Sequence, residues 1–213
     1  MVIFDCDGVL VDSEEISNRV LAEMLTAQGL PMTTAEARAS YQGWLLKDIV
    51  RDAGDRRGEP LAEGWVEDYE RVRADVFRAD LRAIPGVKDV AHEIVNAGAK
   101  ICVASQGSRH KMALTLGITA LDQLFPARSR FSADDVERGK PHPDLFLHAA
   151  AAMGFEPARS VVVEDTPSGV QAAVAAEMRV LGFTADSDAE LLAEAGAEGF
   201  ASMEQLSGLL LLQ

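Results

Sequence analysis

Four short runs of uninterrupted apolar residues punctuate the chain: Val2-Ile3-Phe4, Ile101 to Ala104 behind Lys100, Val161 to Val163 behind Ser160, and Val180 to Gly182 behind Arg179. Runs this short, rich in β-branched residues and lacking polar alternation, suit strands buried on both faces of a parallel sheet. The segments between them repeat at helical spacing. A helix is predicted over 87–97, with Gly98 as its C-cap. Others are predicted over 143–153, ending at Gly154, and over 167–177, with Pro167 near its first turn. Strand alternating with helix predicts an α/β fold with a Rossmann-like, doubly wound parallel sheet.

One region breaks the alternation. From Ser13 to Arg82 there is no strand pattern. Val20, Leu21, Met24 and Leu25 recur at helix spacing until Gly29-Leu30-Pro31. Thr33-Thr34 then offers an N-cap, with Glu36 close behind. Trp65, Tyr69, Val72 and Val76 form a further stripe at steps of three and four. About seventy helical residues inserted after the first strand predict a small α-helical domain over 13–82. The core domain then comprises 1–12 and 83–213, and the chain re-enters the sheet near Ile84-Pro85-Gly86.

Composition narrows the function. The 213 residues carry 34 Asp and Glu against 20 Lys and Arg, a formal charge of −14. That charge repels nucleic-acid backbones and anionic lipid, so neither is an expected partner. An anionic small substrate must be held by a local positive site. Cys6 and Cys102, each within an apolar run, read as buried thiols in a reducing cytoplasm. No stretch reaches the ~18 apolar residues of a membrane helix, the terminal Leu209 to Leu212 included, and no signal peptide is expected.

In an open parallel sheet the ligand lies beyond the carboxyl ends of the strands. Asp5, Asp7 and Gly8 follow the first run; Ser105, Gln106 and Gly107 follow the second; Glu164 and Asp165 follow the Val161 run; Gly139-Lys140-Pro141 precedes a helix. Each alone has an ordinary structural reading, such as a turn, a helix cap or a solvated lysine. Together they bring two acid pairs, a hydroxyl and a lysine to one rim. Four carboxylates there repel one another unless some protonate or a cation offsets them. Oxygen ligands without a His or Cys cluster select a hard dication, and Mg²⁺ is the ordinary one. With Lys140, such a rim suits a tetrahedral dianion, as in a phosphate monoester.

The segment Phe4-Asp5-Cys6-Asp7-Gly8-Val9-Leu10-Val11-Asp12-Ser13-Glu14 resembles the first motif of the haloacid dehalogenase superfamily, in the branch of β-phosphoglucomutase-like phosphatases. Ala104-Ser105, Gly139-Lys140-Pro141-His142-Pro143-Asp144 and Val163-Glu164-Asp165-Thr166-Pro167-Ser168-Gly169 resemble its second, third and fourth motifs, in the family's order. Cys6, Ser105-Gln106-Gly107 and Met112 are similar to bacterial 6-phosphogluconate-type sugar phosphatases. The resemblance implies a Mg²⁺-dependent phosphatase acting on a small phosphorylated metabolite through an aspartyl-phosphate. Asp5 is then the nucleophile and a metal ligand. Asp7 is the acid and base, its carbonyl reaching the metal. Ser105 binds the phosphoryl group, Lys140 pairs with nucleophile and substrate, and Asp165 and Glu164 hold the metal, Glu164 through water. The helical insert stands where this branch carries its cap.

Relatives with mutase activity carry a histidine and an arginine where Ser17 and Leu46 stand, a departure that favours a phosphatase, with a phosphosugar mutase as the alternative. A receiver-like or regulatory phosphate-binding protein is a more distant reading. Gln42, Trp44 and Lys47 on the insert, and Arg109 at a helix start, are candidate substrate contacts. A monomer, or a weak homodimer, is the expected state.

Overall fold

The computed structural model describes residues 1–211, Leu211 by its main chain alone; Leu212 and Gln213, which end the expected core and the leucine run, lie outside the described residues. The chain forms two compact units, one of Met1–Asp12 with the chain from Ala83 onward, the other of Ser13–Arg82.

After β1 (Val2–Phe4) the chain enters the second unit, whose described elements are α1 (Glu14–Ala27), α2 (Thr34–Tyr41), α3 (Leu46–Arg57) and α4 (Trp65–Asp80). The first unit resumes with α5 (Val87–Asn96), β2 (Ile101–Ser105), α6 (Arg109–Ile118), β3 (Arg130–Ser132), α7 (Asp144–Met153), β4 (Val161–Glu164), α8 (Pro167–Ala175), β5 (Arg179–Phe183), α9 (Ala189–Ala195), β6 (Glu198–Phe200) and α10 (Met203–Leu211).

The six described strands form one parallel sheet in the order β3-β2-β1-β4-β5-β6. This is the doubly wound α/β arrangement, and its strand order reverses between β1 and β4. All four apolar runs are strands of this sheet. The edge strands β3 and β6 were not foreseen: each has three residues, and Arg130-Phe131-Ser132 and Glu198-Gly199-Phe200 lack a continuous apolar run. In-register pairing of Phe4 with both Val103 and Val163 brings the ends of β1, β2 and β4 level.

Both faces of the sheet are buried, which explains the absence of alternation. Ile3, Cys102, Ala104 and Val162 pack with Phe146, Val170 and Ala173 in one apolar cluster. Phe4 meets Phe125 edge-on, with ring centroids 5.8 Å apart. Burying each such aromatic ring stabilises the fold by roughly 1.5–3 kcal/mol.

Local signals set the helix starts. Thr33 and Glu36 close a reciprocal capping box on α2, Glu36 N–H donating to Thr33 Oγ1 (3.2 Å) and Thr33 N–H to Glu36 Oε2 (2.7 Å). Pro143 caps α7, one residue before its helical turns begin, and Thr166 caps α8 ahead of Pro167. Within the helical unit, Trp65 and Tyr69 stack with centroids 5.5 Å apart, and the Arg73 guanidinium lies 4.7 Å above the Tyr69 ring. Trp65, Tyr69 and Phe77 are buried, whereas Val72 and Val76 of the expected stripe are only half-buried.

Candidate active site

The site stands at the carboxyl ends of β1, β2 and β4, where the strand order reverses. Asp5 N–H donates to the Val163 carbonyl (2.9 Å), the last sheet-like bond of β1. The chain then folds back on itself: Leu10 and Val11 N–H donate to Cys6 O, and Gly8 N–H to Val11 O. Gly8 has φ +77°, and a Cβ there would overlap the Asp165 carboxylate. Only glycine lets the loop from β1 lie against the acid from β4.

Among the described residues, the buried charged side chains are Asp5, Lys140, Glu164 and Asp165, all of this site. Lys140 Nζ lies 2.5 Å from Asp5 Oδ1 and 2.5 Å from Glu164 Oε1, and 5.0 Å from the Phe146 ring centroid. Glu164 is held on its other oxygen: Oε2 accepts from the N–H groups of Asp165 (3.1 Å) and Thr166 (3.2 Å) and from Thr166 Oγ1 (3.0 Å). A Cβ at Gly169 would overlap Glu164, so the helix after β4 starts with the space this carboxylate needs. Glu164, expected at the metal, is thus first of all the residue that holds Lys140.

The Asp5 carboxyl is pushed up to about 7: burial raises it most, Lys140 opposes the rise, and Glu164 and Asp7 add to it. Burial alone lowers Lys140, but Asp5 and Glu164 outweigh it and hold the ammonium above its ordinary range. The buried thiol of Cys6 is raised well above its usual value by burial, then by Asp7 and Asp5, and lies 3.8 Å from Thr115 Oγ1. It is therefore a packed thiol.

Asp7 pairs with Lys111, Nζ to Oδ1 at 2.8 Å. Ser105 Oγ is 3.5 Å from Asp7 Oδ2 and accepts the Gly107 N–H at 3.1 Å. Sequence reasoning missed Lys111. A lysine in the first turn of a helix reads as solvated, and only its spacing behind Gly107 hinted that it faces the rim. It missed the part of Gln106 as well, whose amide meets the main chain of Lys140.

Asp5, Asp7, Ser105, Lys140, Glu164 and Asp165 are thus brought together by the sheet unit. Arg109 is engaged elsewhere: Nε and Nη2 pair with Asp135 (2.8 and 2.7 Å), and Nη1 donates to the Arg130 carbonyl (3.2 Å). Its expected contact with phosphate competes with a bidentate ion pair at the end of β3, an element the sequence reading lacked. Trp44 and Lys47 belong to the helical unit. Trp44 is 48% exposed, its ring edge-on to Tyr41 at 5.7 Å, and Lys47 is exposed in the first turn of α3. Gln42, at the C-cap of α2, is half-buried.

The donor set fits a hard dication. Three buried carboxylates face one buried ammonium, leaving an excess of negative charge that a dication offsets. Among the described residues no three His, Cys, Asp or Glu side chains converge as a closed metal cage. Mg²⁺ uses one or two carboxylates and completes its shell with water and substrate oxygen.

A family model described as haloacid dehalogenase-like hydrolase matches residues 2–183. The chain is 32% identical over 206 residues to 6-phosphogluconate phosphatase of Escherichia coli K12, covering 96% of this chain and 91% of that one. A conserved haloacid dehalogenase-like protein of unknown function from Agrobacterium tumefaciens superimposes with a TM-score of 0.81 at 35% identity, over 99% of this chain and 96% of that one. A hydrolase from Deinococcus radiodurans, solved with phosphate and sodium bound, gives 0.79 at 27% identity, over 98% and 93%.

Proposed function

The chain belongs to the haloacid dehalogenase-like hydrolase family, and from that premise we propose that it is a Mg²⁺-dependent phosphatase of a small phosphorylated carbohydrate, a sugar phosphate or phospho-sugar acid, working through an aspartyl-phosphate. The observation that carries this reading is the buried Lys140 held between Asp5 and Glu164, with Asp7 two residues beyond Asp5 on the same loop. The relative named 6-phosphogluconate phosphatase supports the substrate class.

In this reading Asp5 attacks phosphorus through one carboxylate oxygen, and the bond from phosphorus to the ester oxygen breaks. Asp7 delivers its proton to that oxygen, so the sugar leaves as a neutral alcohol. Asp7 then takes a proton from water, which attacks the same phosphorus and frees Asp5 with release of phosphate. Ser105 donates to a phosphoryl oxygen. Lys140 offsets the charge shared by the nucleophile and the transferring group, and Glu164 keeps it there. Asp5, Asp165 and the Asp7 carbonyl would hold Mg²⁺, with Glu164 joined through water; the ion when bound neutralises phosphoryl charge. Asp5 must be ionised to attack, and holding a dication would oppose the upward push on its carboxyl.

The helical unit is proposed as the cap that selects the substrate, with Trp44 and Lys47 in contact with the sugar. The test is phosphate release, with and without Mg²⁺, over sugar phosphates, phospho-sugar acids, phosphoglycolate and nucleotides. Turnover of a phosphorylated carbohydrate that ceases on chelation is expected; no release from any monoester in Mg²⁺ would overturn the reading.

A further inference from the structure

Gln106 follows directly on β2, after Ser105, and its side chain reaches a loop 34 residues away. There its amide is laid against the main-chain N–H and C=O of one residue, Lys140. Oε1 accepts the N–H of Lys140 at 3.0 Å, and Nε2 lies 3.4 Å from the Lys140 carbonyl oxygen. The first bond has ordinary geometry and the second is long. Gly139 makes the approach feasible, because a Cβ there would come within 2.6 Å of Gln106 Oε1.

The side chain that springs from this residue is the buried cation of the site. Lys140 is only 4% exposed at its side chain, and its head is fixed between Asp5 and Glu164. A lysine tail has four rotatable bonds, so fixing the head does not fix the line of approach. The main chain at its root must also be held. The loop's own bond, His142 N–H to the Gly139 carbonyl (3.0 Å), closes the turn without tying it to the sheet. Gln106 supplies that tie, and it ties the loop to the strand end that carries Ser105.

We propose that Gln106 is a positioning residue for Lys140, acting through the lysine's main chain and not on the substrate. The inference rests on the reading of Lys140 as the cation that faces the transferring phosphoryl group. A primary amide suits the task because it carries an acceptor and a donor side by side, matching the N–H and C=O that Lys140 presents to it. Ionised glutamate retains the acceptor for the shorter bond and loses the donor. Leucine retains neither, and asparagine is a methylene short.

Two measurements on Gln106→Leu and Gln106→Glu test this in the full chain. The first is amide hydrogen exchange at Lys140. Exchange should quicken at least tenfold in Gln106→Leu and remain near wild type in Gln106→Glu, with Tm lowered by no more than a few degrees. The second is steady-state kinetics with a small aryl phosphate and with the best sugar phosphate of the screen. For both substrates Gln106→Leu should lower kcat about tenfold and leave KM within about threefold, and Gln106→Glu should recover part of the loss. Unchanged exchange at Lys140 would overturn the clamp, as would an unchanged kcat. A loss in KM confined to the sugar substrate would make Gln106 a substrate contact and would also contradict the proposal. Should the wild type release no phosphate from any ester, the functional reading falls by itself, and the exchange experiment still decides the clamp. If Gln106→Leu does not fold, Gln106→Glu decides through the donor it lacks, a kcat equal to wild type counting against the clamp.

Discussion

Lys111 Nζ lies 2.8 Å from Asp7 Oδ1, and both side chains are largely withdrawn from water, 13% and 16% exposed. Lys140 is shared by Asp5 and Glu164, so each of the two rim acids next to β1 meets an ammonium. Lys140 meets the proposed nucleophile, and Lys111 meets the proposed acid and base. Asp7 has to be aimed first at the leaving oxygen and then at water, and a partner on the first turn of α6 limits where its carboxylate can swing. A hydrogen bond to a charged group contributes about 1.5–3 kcal/mol, and part of that acts on the aim of Asp7. Lys111→Met is expected to lower kcat about tenfold with the fold intact, and Lys111→Arg to lower it less. Equal kcat in Lys111→Met and wild type would remove Lys111 from the site.

Two helix glycines should respond to alanine with opposite signs. Gly117 in α6 has open space where a Cβ would go. Gly117→Ala should therefore stabilise by up to about 0.5–1 kcal/mol, the helix-interior gain being the ceiling one residue from the end of α6. At Gly169 in α8 the same methyl would overlap Glu164, which must move and release Lys140. Gly169→Ala should destabilise by about 1–3 kcal/mol and lower kcat at least a hundredfold. Thermal unfolding and kinetics on the two variants check both signs.

The contrast between legible and illegible features follows from local physics. The strands β1, β2, β4 and β5 each carry a continuous apolar run because neighbours cover both of their faces. At the edges, β3 and β6 pair on one side only, and Arg130 and Glu198 tolerate water there. The convergence of the acids, Ser105 and Lys140 was legible because each stands at or just past the end of a strand or in the turn ahead of a helix. Lys111 and Gln106 were not, since their partners, Asp7 and the Lys140 main chain, become neighbours only when the sheet assembles. Arg109 shows the reverse: its place at a helix start pointed to phosphate, but Asp135 after β3 supplies a closer anion.

The buried Asp5 carboxyl makes stability depend on pH in the metal-free protein. Its folded value, about 7, lies above its ordinary 3.8, so between those limits the native state binds the extra proton. Stability is then greatest below the lower limit, falls as pH rises towards 7, and levels off above it. Metal-free Tm should drop by about 5 °C between pH 5 and 7.5 from this group, and Asp5→Asn should lack that part of the slope. Mg²⁺ should raise Tm more at pH 7.5 than at pH 5.5, because it competes with the proton. An equal Mg²⁺ effect at both pH values would count against Asp5 as a ligand.

On the helical unit, Lys47 is exposed at the start of α3, close in sequence to the exposed Trp44. If this segment meets the sugar, Lys47→Ala should lower kcat/KM about tenfold for the best sugar phosphate and less than threefold for a small aryl phosphate. Equal losses, or none, would show that the segment does not select the substrate.

Whether Asp5 carries the phosphoryl group is decided most directly by trapping it. Wild type and Asp5→Asn, mixed with substrate and Mg²⁺ and quenched in acid within milliseconds, are reduced with borohydride and mapped by peptide mass spectrometry. An acyl phosphate at Asp5 is reduced to the corresponding alcohol, so position 5 should be recovered as homoserine in the wild type, in proportion to the enzyme phosphorylated. Asp5→Asn should show none, and its turnover should fall below one part in a thousand while it remains folded. Homoserine at another carboxylate, or substantial turnover by Asp5→Asn, would contradict the assignment of the nucleophile.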